Sequence, residues 1–435
     1  SRGVMRARFL TVMMLGSAAM MAGSAVAQST QAPVRPATPQ ADPLAPQPVA
    51  PVTEQTVAPA VPVELPPPAW TAAQAGELLT YIRGVGAEGL DPRDYDPALL
   101  EAAIRDNNPA VLARVATDAW NKVSNDLALG HVRGSARVQW FVVDKDLDKA
   151  RQRALLDQAL AGAGIAQTLN GLLPNHPQYG SLRAALAKAD PADTAKVNKI
   201  RLNMDRWRWL PRDLGSRYII VNVPGEHATL VENSVTRWKR RAIAGAVKTP
   251  TPQLSVNATG VILNPWWEVP QSLSKEVAGK KGYVAVRGKD GKVQRWRQPP
   301  GPGNALGKVK FTMLNPHAIY LHDTNNRGLF DAQARFFSHG CIRTEHILDL
   351  TAELLSDDGG AWDRAKVDEV LKSGKTVSAS FVKPVPVYIV YFSVAALNDG
   401  SIVQYKDLYS RDGPVMTALL DRDGGGKATT RAATR

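Results

Sequence analysis

The chain has a single cysteine in 435 residues, Cys341, so it forms no internal disulfide. Past residue 21 it lacks any run of the roughly eighteen apolar residues that a membrane-spanning helix needs. Zinc-knuckle spacing, an aromatic RNA-binding signature and a phosphate-cradling glycine loop are all missing. The net charge of +13 is therefore not read as a nucleic-acid footprint. Its scattered excess suits an ordinary solvated surface and is compatible with a substrate rich in carboxylates. Residues 28–69 contain no glycine and twelve prolines. Such a segment buries too little apolar surface to fold and favours extended polyproline II. It reads as a disordered, stiff linker that spans on the order of 120 Å at about 3.1 Å per residue.

The beginning of the chain carries an export signal over residues 1–27. Met5-Arg6-Ala7-Arg8 supplies the charged start, Phe9 to Met21 the apolar stretch, and Ser24-Ala25-Val26-Ala27 the small-x-small cleavage pattern. The expectation is a periplasmic protein whose leader engages the membrane only during export; an uncleaved leader acting as an anchor is the alternative. Nucleic acid is then no partner.

From Trp70 to about residue 192 the apolar residues recur at three- and four-residue spacing, which predicts helices over Ala72–Val85, Pro97–Arg105, Pro109–Leu129 and Lys149–Leu173. Residues 70–199 read as an all-helical scaffold domain without clustered titratable groups. Residues 200–395 read as a second, mostly β domain. Its strands are expected at 218–223, Ala228–Val231, Arg241–Ala246, Gly260–Leu263, 375–382 and Val385–Val394, with one clear helix over Thr344–Ser356. Thr344 is the candidate N-cap of that helix. Residues 271–310, rich in lysine and arginine, interrupt the strands and read as a lid. Residues 396–420 are expected as a strand extension and 421–435 as a disordered tail. The fold class is thus α+β multidomain.

Four of the seven histidines, His317, His322, His339 and His346, lie within thirty residues around Cys341. An exported lone thiol among imidazoles is equipment for acyl transfer through a thioester. A helix beginning near Thr344 would lower the thiol's pKa through its unpaired N–H groups. The backbone at Gly340 and Cys341 would hold an oxyanion. His322 and His339 are both candidate bases.

These residues carry a resemblance. His322, fifteen residues, then Ser338-His339-Gly340-Cys341 resembles the signature of the L,D-transpeptidases, with their YkuD-type catalytic domain. The stretches 204–211, 264–270, 298–301, 304–307 and 320–324 resemble the larger Gram-negative members, and 70–192 resembles their scaffold domain. The resemblance implies Cys341 as nucleophile, His322 as general base and acid, and the Asp323 backbone carbonyl orienting the His322 ring. It makes Gly340 an oxyanion donor through its backbone. It places Ser338, His339, Tyr320, Trp267, Asn304 and Arg343 around the substrate, with His339 supporting the loop. Arg343 binds a carboxylate or else braces the loop through backbone carbonyls. Of Trp266, Trp267 and Trp296, packing is expected for at least two. Residues 271–310 resemble the capping subdomain. The wall-binding module of the larger members is missing between 177 and 206.

The implied reaction joins peptidoglycan stem peptides, with a meso-diaminopimelate amine as acceptor, in 3→3 or 1→3 linkage. Lipoprotein attachment and D-amino-acid exchange use the same chemistry. Other cell-wall synthesis proteins are expected as partners. No metal or organic cofactor is implied. Two other classes make different demands. A papain-like thiol hydrolase expects its histidine far downstream, whereas His322 lies nineteen residues upstream of Cys341. A non-enzymatic wall-binding scaffold expects an inert thiol.

Overall fold

The computed structural model describes residues 65–143, 146–358 and 361–426. The leader, nearly all of the proline-rich segment and residues 427–435 lie outside the described residues. Among the described residues no helix is long and apolar enough to cross a membrane.

Among the described residues seven α-helices come first. α1 (Ala72–Gly84) opens with a capping box between Thr71 and Gln74. α2 (Pro97–Asp106) and α3 (Pro109–Leu129) both start on proline, and Asn108 caps α3. The helix expected over Lys149–Leu173 is broken. α4 (Lys149–Gln158) runs into a π-turn at Ala159–Ala163, and α5 (Ile165–Asn170) resumes beyond it. The cause is local: Gly162 and Gly164 hold φ of 126° and 89°, which interrupts the helix. α6 (Pro177–Lys188) and α7 (Thr194–Arg208) follow. α7 runs unbroken through the boundary drawn at 199/200.

The helical region also contradicts the expectation of no clustered titratable groups. Asp205 on α7 is fully buried and accepts hydrogen bonds from the His131 N–H (2.7 Å), the Val132 N–H (3.1 Å), Trp209 Nε1 (2.8 Å) and Arg208 Nη2 (2.9 Å). Burial raises its pKa, but the Arg208 charge and these donors outweigh that and hold the carboxylate ionised. Beside it His131 Nδ1 sits 2.6 Å from Asp126 Oδ2, which also accepts from the Tyr95 hydroxyl at 2.9 Å. The contacts of His131 and Val132 with Asp205, and of Tyr95 with Asp126, join residues far apart in sequence, so periodicity gives no sign of them.

Among the described residues the β region holds a nine-stranded sheet, a three-stranded sheet and a two-stranded hairpin. Its strands are β1 (Arg217–Asn222), β2 (His227–Glu232), β3 (Val235–Gly245), β4 (Leu254–Leu263), and, after an excursion, more. The excursion holds β5 (Trp267–Glu268), α8 (Ser274–Val277), β6 (Val284–Arg287) and β7 (Val293–Gln298). β8 (Val309–Thr312), β9 (Leu321–His322), β10 (Phe336–Ser338) and β11 (Ile342–Thr344) return to the sheet. Then come α9 (Ile347–Leu355), α10 (Arg364–Ser373) and β12 (Val377–Val390). The order is β10-β3-β11-β9-β8-β4-β12-β1-β2, and β2 also pairs with β3, so the sheet curls back on itself. Ile219, Leu230, Phe311, Leu321, Ile342 and Leu350 belong to its core.

Several expectations change here. The strands expected at 375–382 and Val385–Val394 merge into one, β12, which runs only from Val377 to Val390 and is kinked between Ser380 and Val385 around Pro384. The lid is itself a three-stranded sheet, β5-β7-β6, and its first strand lies ahead of residue 271. Thr344 ends β11 instead of capping a helix: it pairs with Ala242, and His346 in left-handed conformation precedes α9. Sheet pairing overrides the local capping signal. After β12, the hairpin β13 (Val394–Ala396) and β14 (Ile402–Gln404) leads into α11 (Asp412–Leu420), so 396–420 is not purely a strand extension. Residues 421–426 fold back: the Arg133 N–H donates to the Gly424 carbonyl at 2.9 Å, and His131 Nε2 donates to the Asp421 carbonyl at 2.7 Å.

Candidate active site

The nucleophile candidate sits on a turn whose shape is fixed from three sides. Gly340 has φ of 116°, a conformation that disfavours any side chain, and a Cβ there would press Ile319 Cδ1 at 3.1 Å. The Ser338 hydroxyl donates to the Cys341 carbonyl at 2.5 Å and accepts from the Gly340 N–H at 3.0 Å. From outside the turn, Thr251 Oγ1 donates to the Gly340 carbonyl (2.7 Å) and accepts from the Gly245 N–H (2.9 Å). The Gly245 carbonyl in turn accepts from the Tyr409 hydroxyl at 2.5 Å.

β9 delivers His322. It is buried, and its Nδ1 lies 2.5 Å from the Asp323 carbonyl oxygen. A carbonyl only accepts, so Nδ1 carries the proton and Nε2 keeps its lone pair. The Asp323 carboxylate is occupied elsewhere, accepting from the Lys308 N–H (2.9 Å) and Arg327 Nη2 (2.7 Å). β11 lies parallel to β9 with Arg343 opposite His322, which brings Cys341, just before β11, to the same end of the sheet.

Cys341, His322, Arg343, Tyr320, Ser338 and His339 line one cavity of about 730 Å³. The excursion β5–β7 walls its other side with Trp267, Val269, Leu273 and Tyr283. Trp267 thus faces the cavity, whereas Trp296 packs inside the cap and Trp266 lies against Arg297, 4.0 Å from ring centroid to guanidinium carbon.

Burial dominates the electrostatics. It pushes the Cys341 thiol up from its ordinary value, against the opposing pull of the Tyr320 N–H and hydroxyl, Lys310 and Arg343. Burial, then the Arg343 charge, pushes His322 down to about 3; the Asp323 carbonyl opposes and Lys310 adds to the fall. The resting pair is therefore a neutral thiol and a neutral imidazole. This corrects the expectation of a thiolate stabilised by a helix N-terminus, since α9 begins six residues past Cys341 with β11 between them. The half-buried thiol instead points at the Ala318 carbonyl, 3.5 Å away.

Four further assignments change. The Gly340 N–H is spent on Ser338, so it is not the oxyanion donor; the Cys341 N–H bonds to no described residue and is the backbone donor left. Asn304 is buried outside the cavity: its amide donates to the carbonyls of Pro265 (3.0 Å), Gln298 (3.3 Å) and Pro299 (2.9 Å), so it pins the base of the cap and does not meet substrate. His339 is exposed and bonds to no described residue, so it does not brace the loop, and the Arg343 guanidinium likewise bonds to no carbonyl. Lys310, Thr251, Gly245 and Tyr409 escaped the sequence reading. Their alignment with the turn is set by strand register, for which isolated residues give no signal. Among the described residues no group of three histidine, cysteine or acidic side chains could hold a metal ion.

Residues 216–378 match the family described as the L,D-transpeptidase catalytic domain, YkuD, and residues 66–186 match the scaffold domain. A Haemophilus influenzae protein named "Putative L,D-transpeptidase" is 30% identical over 253 residues, covering 52% of this chain and 50% of its own. The chain thus spans about half the length of this curated relative. Among solved structures, an L,D-transpeptidase from Mycobacterium smegmatis is 13% identical, with 40% of this chain and 58% of that one covered at a TM-score of 0.22. L,D-transpeptidase 3 from Mycobacterium tuberculosis is 12% identical, with 40% and 61% covered at 0.23. Overlaps this slight carry no argument.

Proposed function

Starting from a chain that carries the YkuD L,D-transpeptidase catalytic domain, of acyltransferase class, together with a scaffold domain, we propose that it joins peptidoglycan stem peptides through a thioester on Cys341. The observation that carries this reading is the shared cavity of Cys341 and His322, with the free Nε2 of an imidazole already oriented by the Asp323 carbonyl.

The steps follow from the neutral resting pair. His322 Nε2 takes the thiol proton as the sulfur attacks a carbonyl at an L-configured centre of the donor peptide. The Cys341 N–H and the Tyr320 hydroxyl meet the oxyanion. The departing amine receives the proton from Nε2 and leaves a thioester on Cys341. The side-chain amine of a meso-diaminopimelate residue then attacks, its proton passes to His322, and the sulfur leaves and is reprotonated. The donor bond's energy is kept in the thioester, so no nucleotide is consumed. Trp267, Tyr283 and the cap around them keep water from the thioester, which favours the amine over hydrolysis. The leader over residues 1–27 supports action in the periplasm, where such peptides lie.

The test is incubation of the purified protein with disaccharide tetrapeptide, followed by mass spectrometry. Dimers joined through diaminopimelate, and their loss in Cys341→Ala, are expected. Fragmentation separates 3→3 from 1→3 linkage. A wild-type protein that yields neither dimer nor an acyl adduct on Cys341 with a carbapenem sinks the reading.

A further inference from the structure

A row of three side chains crosses one wall of the cavity. Lys310 on β8 is the direct cross-strand partner of His322 on β9, and His322 is the direct partner of Arg343 on β11. Directly opposed residues point to the same face with Cβ atoms about 4.5–5.5 Å apart. The imidazole therefore stands between two cations. Like charges so placed repel each other, and half-burial strips away part of the solvent that would screen them.

Neither cation has a carboxylate within ion-pair reach among the described residues. Lys310 Nζ rests over the Tyr320 ring, 4.4 Å from its centroid, and Arg343 hydrogen-bonds to no described residue. Glu268, the acid whose charge acts on Lys310, is already held by Arg295 (3.0 Å) and Arg297 (2.7 Å). Both cations line the same cavity as the thiol. A half-open cavity with two unmatched positive charges flanking a base is built for an anion.

We propose that Lys310 and Arg343 clamp one carboxylate of the peptide substrate over the His322 ring and beside the Cys341 sulfur. The clamp deepens the wall-peptide reading and rests on it for the identity of the ligand. A stem peptide carries a carboxylate next to its reacting bond, on the residue that leaves, and another beside the acceptor amine. Binding there has a second effect. The carboxylate offsets both charges that depress the base, so the proton affinity of His322 rises when substrate is in place.

Because Cys341 is the only cysteine in the chain, alkylation reads its surroundings without interference. Iodoacetate and iodoacetamide both lose iodide to the sulfur and differ by a carboxylate against an amide. The ratio of their rates on wild-type protein is expected to exceed that on N-acetylcysteine at least tenfold, about 1.4 kcal/mol. Lys310→Met and Arg343→Met should each cut the ratio about fivefold, and Lys310→Arg should keep it. A change in thiol acidity moves both rates together and leaves the ratio alone. As a check that needs no variant, propionate should slow iodoacetamide labelling of the wild type while propionamide does not. A wild-type ratio equal to that of the free thiol, a ratio untouched by either methionine, or equal effects of propionate and propionamide overturns the clamp. A high ratio without any wall-peptide product supports the clamp and sinks the transpeptidase reading; cross-linking with a flat ratio does the reverse.

Discussion

Replacing Thr251 by valine tests whether the nucleophile turn is held from outside. Valine matches threonine in shape, and Thr251 is fully buried away from the cavity lining, so bulk and substrate contact are both unchanged. What disappears is one hydroxyl that serves two main-chain groups, the Gly340 carbonyl and the Gly245 N–H. Each buried group left without a partner costs about 1–3 kcal/mol, so the expected loss is roughly 3 kcal/mol. Neither group has room to find a new partner. A Cβ on Gly245 would already collide with the Thr249 carbonyl and come within 3.1 Å of Gly340 Cα, which shows how tightly the two segments lie. Urea unfolding measures the stability, and alkylation of Cys341 by iodoacetamide measures the turn. Thr251→Val should shift the unfolding midpoint down and change the labelling rate severalfold. Thr251→Ser keeps the hydroxyl and should recover most of both. If Thr251→Val stays within about 0.5 kcal/mol of wild type and labels at the same rate, the hydroxyl does not hold the turn.

Breaking the buried pair by Asp205→Asn should cost about 3–5 kcal/mol in the same unfolding assay, since Arg208 would keep its charge without a counter-ion. His131 gives a pH signature: burial lowers its pKa, but the Asp126 hydrogen bond and charge outweigh this and raise it to about 9. Its contribution is complete below about pH 6.5 and is lost as pH rises through 9, a total of about 3 kcal/mol; His131→Asn should flatten that limb of stability against pH. His322 has the opposite sign. With its folded pKa near 3, stability falls as pH drops from about 6.5 toward 3, and His322→Gln should remove part of that slope. Asn304→Ala strips three carbonyls of their donor and should speed limited proteolysis within residues 271–303, read by mass spectrometry, while α3 stays uncut.

What the sequence made legible was local. The pairing of His322 with Ser338-His339-Gly340-Cys341 could be found because residue type and spacing carry it. α3 could be bounded to the residue because Asn108, Pro109 and Gly130 punctuate it. The misreadings share a cause. Thr344 followed by Glu345 satisfies every local rule for a helix start, yet β11 pairs with β3 and takes Thr344 into the sheet. Asn304 was grouped with the site because its motif accompanies the signature, but its amide points into the base of the cap. Lys310 carries no signal of its own in the sequence, because only strand register sets it opposite His322. The thiol's electrostatics are hidden from the sequence for the same reason, since they depend on burial and on where α9 begins.

The unbroken path of α7 has a practical meaning for anyone cutting this protein into parts. A fragment starting at residue 200 would begin inside a helix, and it would carry Asp205 without the main-chain donors of residues 131 and 132. The matching fragment ending at 199 would keep Tyr179 and Glu88 but lose Arg208, which donates to both. Each half would thus present a raw polar seam where the intact chain is dry. Expression trials should keep residues 65–426 together, and a catalytic half that aggregates alone reports this seam and not a failure of its chemistry.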